Sequence, residues 1–132
     1  MIEKTYKVEG LNQLSEQVNT FVTSIGFDNA DVPLRIALIH SEISEAFEAY
    51  RKDKLFKLTQ PQKEVMAGWV RDDDFKEAFQ IECKDTFEDE IADSIIRLFD
   101  LCGKMGIDIE YHIQQKMRYN GTRGHKYGGK KF

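Results

Sequence analysis

No apolar run in this sequence approaches the roughly 18 residues needed to cross a bilayer, so a membrane-spanning protein is not expected. The opening "MIEKTYKVEG" is charged and lacks the apolar stretch of a signal peptide, which makes the cytoplasm the expected location. Cysteine occurs only as Cys83 and Cys102, without CxxC spacing or a neighbouring histidine set. That argues against a zinc site and for reduced structural thiols. A P-loop, a G-x-S-x-G element and any Cys/His spacing suited to nucleophilic catalysis are also missing. Neither His40 nor His112 lies three residues after a glutamate, so the Glu-x-x-His pairs of a di-iron bundle are not there. Proline is confined to Pro33 and Pro61, and both read as punctuation.

What is present is charge and apolar periodicity. With 132 residues, 41% hydrophobic and 32% charged, the chain is long enough for one self-contained core, and a single domain over 1–132 is expected. The net charge of −4 hides an asymmetry. From His112 onward there are six basic residues and no acid, whereas residues 1–111 hold 13 basic and 23 acidic side chains, a balance of −10. An acidic body with a basic end can gather a cation and an anion, although a solvated tail explains the same pattern. Basic residues confined to the last 21 positions are too few for a broad nucleic-acid footprint, so a nucleic-acid partner is not expected.

The periodicity predicts an all-α architecture. "LNQLSEQVNTFVTSIGF" is apolar at 11, 14, 18, 21, 22 and 25, with Gly26 able to end a helix. "NAD" offers N-cap candidates for a second helix that starts near Pro33 and runs to about Lys52. A third is entered near Asp85 or Thr86 and closes near Gly103 to Gly106, and a fourth is capped by Asp108 and stopped by Gly121. Residues 53–83 read as an irregular or short-helical excursion, and 121–132 as a basic, glycine-rich, looped tail. No strand alternation extends beyond the first few residues, and there is no internal repeat.

On the second helix, Ile36, Ile39, Ile43, Phe47 and Tyr50 form an apolar face, while His40, Ser44, Glu48 and Arg51 fall in a polar sector. Glu42 and Glu45 belong to neither, sharing a third sector with Leu34, Leu38 and Ala49. A helix apolar on two sides is packed on two sides, and a carboxylate there needs cationic compensation. An ion-paired helix edge satisfies this, and so does a metal. On the third helix Phe87, Ile91, Ile95, Leu98, Phe99 and Cys102 make the apolar side; Glu90, Asp93, Arg97 and Asp100 make the opposite stripe. Taken alone, that stripe is an ion-paired wet face. Two pairs three residues apart on adjacent antiparallel helices can instead bring four oxygen ligands together, a set suited to Mg²⁺ or Mn²⁺.

Glu42-x-x-Glu45, Glu90-x-x-Asp93 and "KMRYNGTRGHKYGGKKF", with the surrounding "HSEISEAFEAYR" and "FEDEIADSIIRLFDLC", resemble the MazG-like nucleoside triphosphate pyrophosphohydrolases of the all-α pyrophosphatase superfamily. The resemblance implies a four-helix-bundle-like fold completed by oligomerisation, as a homodimer or homotetramer. It implies Mg²⁺-dependent hydrolysis of (d)NTPs between the α- and β-phosphates, with Mn²⁺ as a substitute metal. Glu42, Glu45, Glu90 and Asp93 would be the metal ligands, and Glu42 or Glu45 would also orient or deprotonate water. Lys116 and Asn120 would contact phosphate or sugar, with Arg123, Lys126 and Lys130 as further candidates for the phosphate chain. The 44 residues between Glu45 and Glu90 exceed the usual spacing, so 53–83 looks like an insertion, a lid or base-recognition element carrying Trp69 and Phe75. The alternative is a non-catalytic helical module of the same fold that binds nucleotide or protein.

Overall fold

Local capping chemistry sets most of the helix boundaries. The Asp31 side chain accepts from the Leu34 amide at 2.9 Å, and Pro33 occupies the first turn, where no intrahelical donor is required. Asp108 does the same for a later helix, accepting from the Tyr111 amide at 3.2 Å. Gly26 (φ 95°) and Gly106 (φ 65°) take the left-handed conformation just past two helix ends, the place where glycine carries no Cβ penalty.

The computed structural model describes residues 6–27 and 30–132, so Asn29 of the "NAD" capping stretch lies outside the described residues. Among these there are seven helices and no strand: α1 Leu11–Ser24, α2 Val32–Arg51, α3 Gln60–Ala67, α4 Asp72–Glu82, α5 Phe87–Met105, α6 Ile109–Thr122 and α7 Lys126–Gly129. The protein is all-α. None of these helices is long and apolar enough to cross a membrane. The excursion at 53–83 resolves into the two short helices α3 and α4. Gln62 accepts from the Thr59 amide at 2.8 Å to start α3, with Pro61 in its first turn.

The chain divides into two compact units, one from residues 1–29 with 99–132, the other from 30–98. In the first, α1 packs on α6, with the Asn12 amide bonded to Glu110 Oε1 at 3.0 Å and its side chain to Asp108 at 2.8 Å. Asn19 Nδ2 donates to Asp100 at 2.9 Å. α5 closes at Met105, within the expected 103–106 window, and Gly103 precedes that end. This glycine lies inside α5 because α1 comes too near for a side chain: an added Cβ would sit 2.4 Å from the Ser15 carbonyl oxygen and 2.7 Å from Asn19 Cβ. Gly103→Ala is therefore expected to cost about 1–3 kcal/mol, read as a lower urea midpoint; an unchanged midpoint would contradict this packing.

Gly121 does not stop its helix. α6 continues to Thr122, and the turn comes at Gly124 (φ 74°), after which 126–129 add a short helix where a looped tail was expected. One glycine inside a helix costs only about 1 kcal/mol, too little to end it.

On α2 the sector of Glu42 and Ala49 is covered and that of His40, Ser44 and Arg51 is open, as expected, but most of the Ile43–Phe47–Tyr50 face is exposed; on α5 the expected arrangement is reversed. Along α2 the buried residues are Arg35, Ile39, Glu42, Ala46 and Ala49, while Ile43, Phe47 and Tyr50 are 52%, 63% and 61% exposed. Along α5, Glu90, Ser94 and Asp100 are buried, and Ile91, Ile95 and Leu98 are open to solvent. The stripe expected to be wet is the covered one. A single chain thus leaves the bulky apolar stripes of both long helices uncovered.

Candidate metal centre

Glu42 and Glu45 are separated by about one turn of α2, as Glu90 and Asp93 are on α5. Two local features place the second pair. The Lys54 carbonyl accepts from the Phe87 amide at 2.8 Å, and Glu88 accepts from the Phe56 amide at 2.7 Å, lacing the segment after α2 to the first turn of α5. Thr86 Oγ1 accepts from the Asp89 amide at 3.2 Å and donates to the Cys83 carbonyl at 2.7 Å, which fixes the helix start.

The result is a tight carboxylate cluster. Glu42, Glu45 and Glu90 each offer one oxygen within 4.8 Å of the others. Glu42 and Glu90 are buried and Glu45 is exposed, so the cluster has a closed side and an open one. Asp93, half-buried, stands outside that trio but is coupled to it by charge. Like charges about 5 Å apart repel by about 3 kcal/mol at an effective dielectric near 20, so the cluster is held against its own repulsion. Arg97 Nε donates to Glu42 Oε1 at 2.8 Å and offsets part of it.

Proton affinities register the remainder. Burial first, then the neighbouring Glu45, Glu42 and Asp93, push the Glu90 carboxyl up to about 7. Asp93 is raised by burial and by Glu42, Asp89 and Glu45, with Arg97 pulling the other way. Glu90 Oε2 is buried without a hydrogen-bond partner. An orphaned, buried carboxylate oxygen in an all-oxygen donor set fits a hard divalent cation, so these residues suit Mg²⁺ or Mn²⁺.

No family model, curated protein or solved structure matches this chain.

Two residue groups stand beside the cluster. Arg97 is one; it is four residues after Asp93, on the same stripe, and the stripe's burial turns it into a cluster residue. Asp85 and Asp89 are the other, forming a second oxygen trio with Glu90 as the shared member. The four-residue spacing of Asp85, Asp89 and Asp93 was the available signal, although Asp85 itself precedes α5.

The basic candidates belong to the other compact unit. Lys116 Nζ and Arg123 Cζ lie 5.3 and 5.7 Å from the Tyr119 ring centroid, so two cations gather at one aromatic. Asn120 is half-buried, and its Oδ1 is buried without a hydrogen-bond partner. Lys126 and Lys130 are exposed.

Proposed function

We propose that this protein is a Mg²⁺-dependent nucleoside triphosphate pyrophosphohydrolase that cleaves (d)NTPs between the α- and β-phosphates, releasing a monophosphate and pyrophosphate. The observation that carries the reading is the carboxylate cluster, whose three glutamates converge within 4.8 Å and leave a buried oxygen of Glu90 unpartnered. Phosphoanhydride hydrolysis asks little covalent chemistry of a protein; it needs a positioned water and neutralised phosphate oxygens.

Glu42, Glu45, Glu90 and Asp93 would hold the cation, which supplies charge neutralisation on the phosphate oxygens when bound. Glu45 is the member open to solvent, so it is assigned to orient the attacking water and accept its proton. Glu42, buried and paired with Arg97, acts as a fixed ligand. Lys116 and Asn120 are assigned to the nucleotide's phosphate or sugar, and Arg123, Lys126 and Lys130 to the phosphate chain. The uncovered apolar stripes of α2 and α5 support assembly with a second copy of the chain, as a homodimer or homotetramer.

The test is incubation of the protein with a panel of NTPs and dNTPs, in Mg²⁺ and in EDTA, with the products identified. Metal-dependent monophosphate plus pyrophosphate is the expected outcome. Diphosphate plus orthophosphate, or no turnover on any nucleotide, would overturn the assignment, and the latter with retained nucleotide binding would leave a non-catalytic module.

A further inference from the structure

The helix α4 sits in the segment that separates the two acidic pairs, and it carries Phe75 and Phe79 one turn apart. Their ring centroids are 5.8 Å apart with the planes inclined by 41°. Phe75 is 41% exposed. A groove of about 440 Å³ opens there, lined by both rings, by Gln80 of α4 and by Asp89 and Asp93 of α5. That volume lies within the range of small-molecule sites. Trp69 lines a separate recess with Ala78 and Ile81, so it is not part of this groove.

A nucleotide presents the matching chemistry. Its base has two flat π-faces and an edge of donors and acceptors, while its phosphates need a cation. The groove offers aromatic rings, an amide able both to donate and to accept, and the carboxylates that adjoin the cluster through Asp93 and through the second trio's Asp89. Resting on the proposed reaction, we infer that this groove seats the nucleobase of the substrate, stacked on Phe75 and Phe79 with Gln80 at its edge. Stacking accepts any base, because every base has a π-face, so the rings give affinity and Gln80 gives what discrimination there is.

Phe79→Leu keeps apolar bulk and removes the ring. It is expected to raise KM for nucleoside triphosphates about tenfold with kcat held within about twofold, the scale of one lost base–aromatic stack. Trp69→Leu leaves KM unchanged. Wild-type turnover together with an unchanged KM in Phe79→Leu would overturn the groove and leave the reaction intact. A second readout does not depend on turnover: cytidine and adenosine monophosphates, added to ¹⁵N-labelled wild-type protein, are expected to shift the Gln80 side-chain amide. Absence of that shift would sink the groove, whether or not the protein hydrolyses triphosphates; a shift without turnover would sink the reaction alone.

Discussion

Glu90→Gln is expected to remove at least about a hundredfold of turnover while making the metal-free protein more stable at pH 8. The loss follows from taking a charged oxygen out of the cation's ligand set, on the scale of removing one preorganised electrostatic contact. The gain follows from the repulsion the cluster stores. Unfolded, Glu90 titrates near 4.5; folded, at about 7. Between those values the folded state holds more protons than the unfolded one, so the metal-free protein loses stability as pH rises from about 4.5 to about 7 and stays lower above that. Asp93, also raised, acts in the same direction. The glutamine variant lacks this titration, so its advantage, on the order of 2 kcal/mol at pH 8, disappears below about pH 4.5. Urea denaturation in EDTA at pH 4.5 and pH 8 measures it. A variant less stable than wild type at pH 8 would mean that Glu90 is a structural residue whose contacts favour folding.

Phe47→Glu is the second large effect. Phe47 lies mid-stripe on α2 between Ile43 and Tyr50, at 63% exposure in the single chain, with the Arg51 guanidinium 5.8 Å from its ring. A second copy covering this stripe would place the new carboxylate in an apolar interface, where an unpaired charge is strongly unfavourable. Self-association is expected to weaken by at least about a hundredfold, the scale of an interface hot spot. Sedimentation equilibrium checks this: wild type as a dimer or tetramer, the variant as a monomer with its helical circular dichroism retained. Wild type sedimenting as a monomer at tens of micromolar would refute the oligomer.

The helix boundaries were largely legible in the sequence, because they are set locally. Asp31, Pro33, Gly26, Gly106 and Asp108 each act within one turn of where they stand. Gly103 and Gly121 show the limit of such local signals. Gly103 answers to the Ser15 carbonyl of α1, 88 residues away, and Gly121 is outweighed by the helix around it. Which residues share a face was legible too, since a period of 3.6 fixes it. Which face is covered was not. Periodicity groups Ile43 with Phe47 and Glu90 with Asp93, yet burial depends on what the rest of the chain places against each stripe, and here Glu90 is covered while Ile43 and Phe47 are open.

The carboxylate cluster was readable for a related reason. Residues three apart on a helix point the same way, and a chain with two such pairs can bring them together by packing α2 near the start of α5. The Arg97–Glu42 pair and the adjoining Asp85 and Asp89 needed the fold itself, because nothing in the spacing says which stripe neighbour reaches which carboxylate.

Binding of a divalent cation by Glu42, Glu45, Glu90 and Asp93 is read by Mn²⁺ titration followed by electron paramagnetic resonance at pH 8. Wild type is expected to withdraw Mn²⁺ from the free hexaaqua signal and to give it back when Mg²⁺ is added, while Glu90→Gln leaves the signal free over the same concentrations. Equal free Mn²⁺ for wild type, variant and buffer would rule out the cation site and leave the cluster as an ion-paired helix contact organised by Arg97.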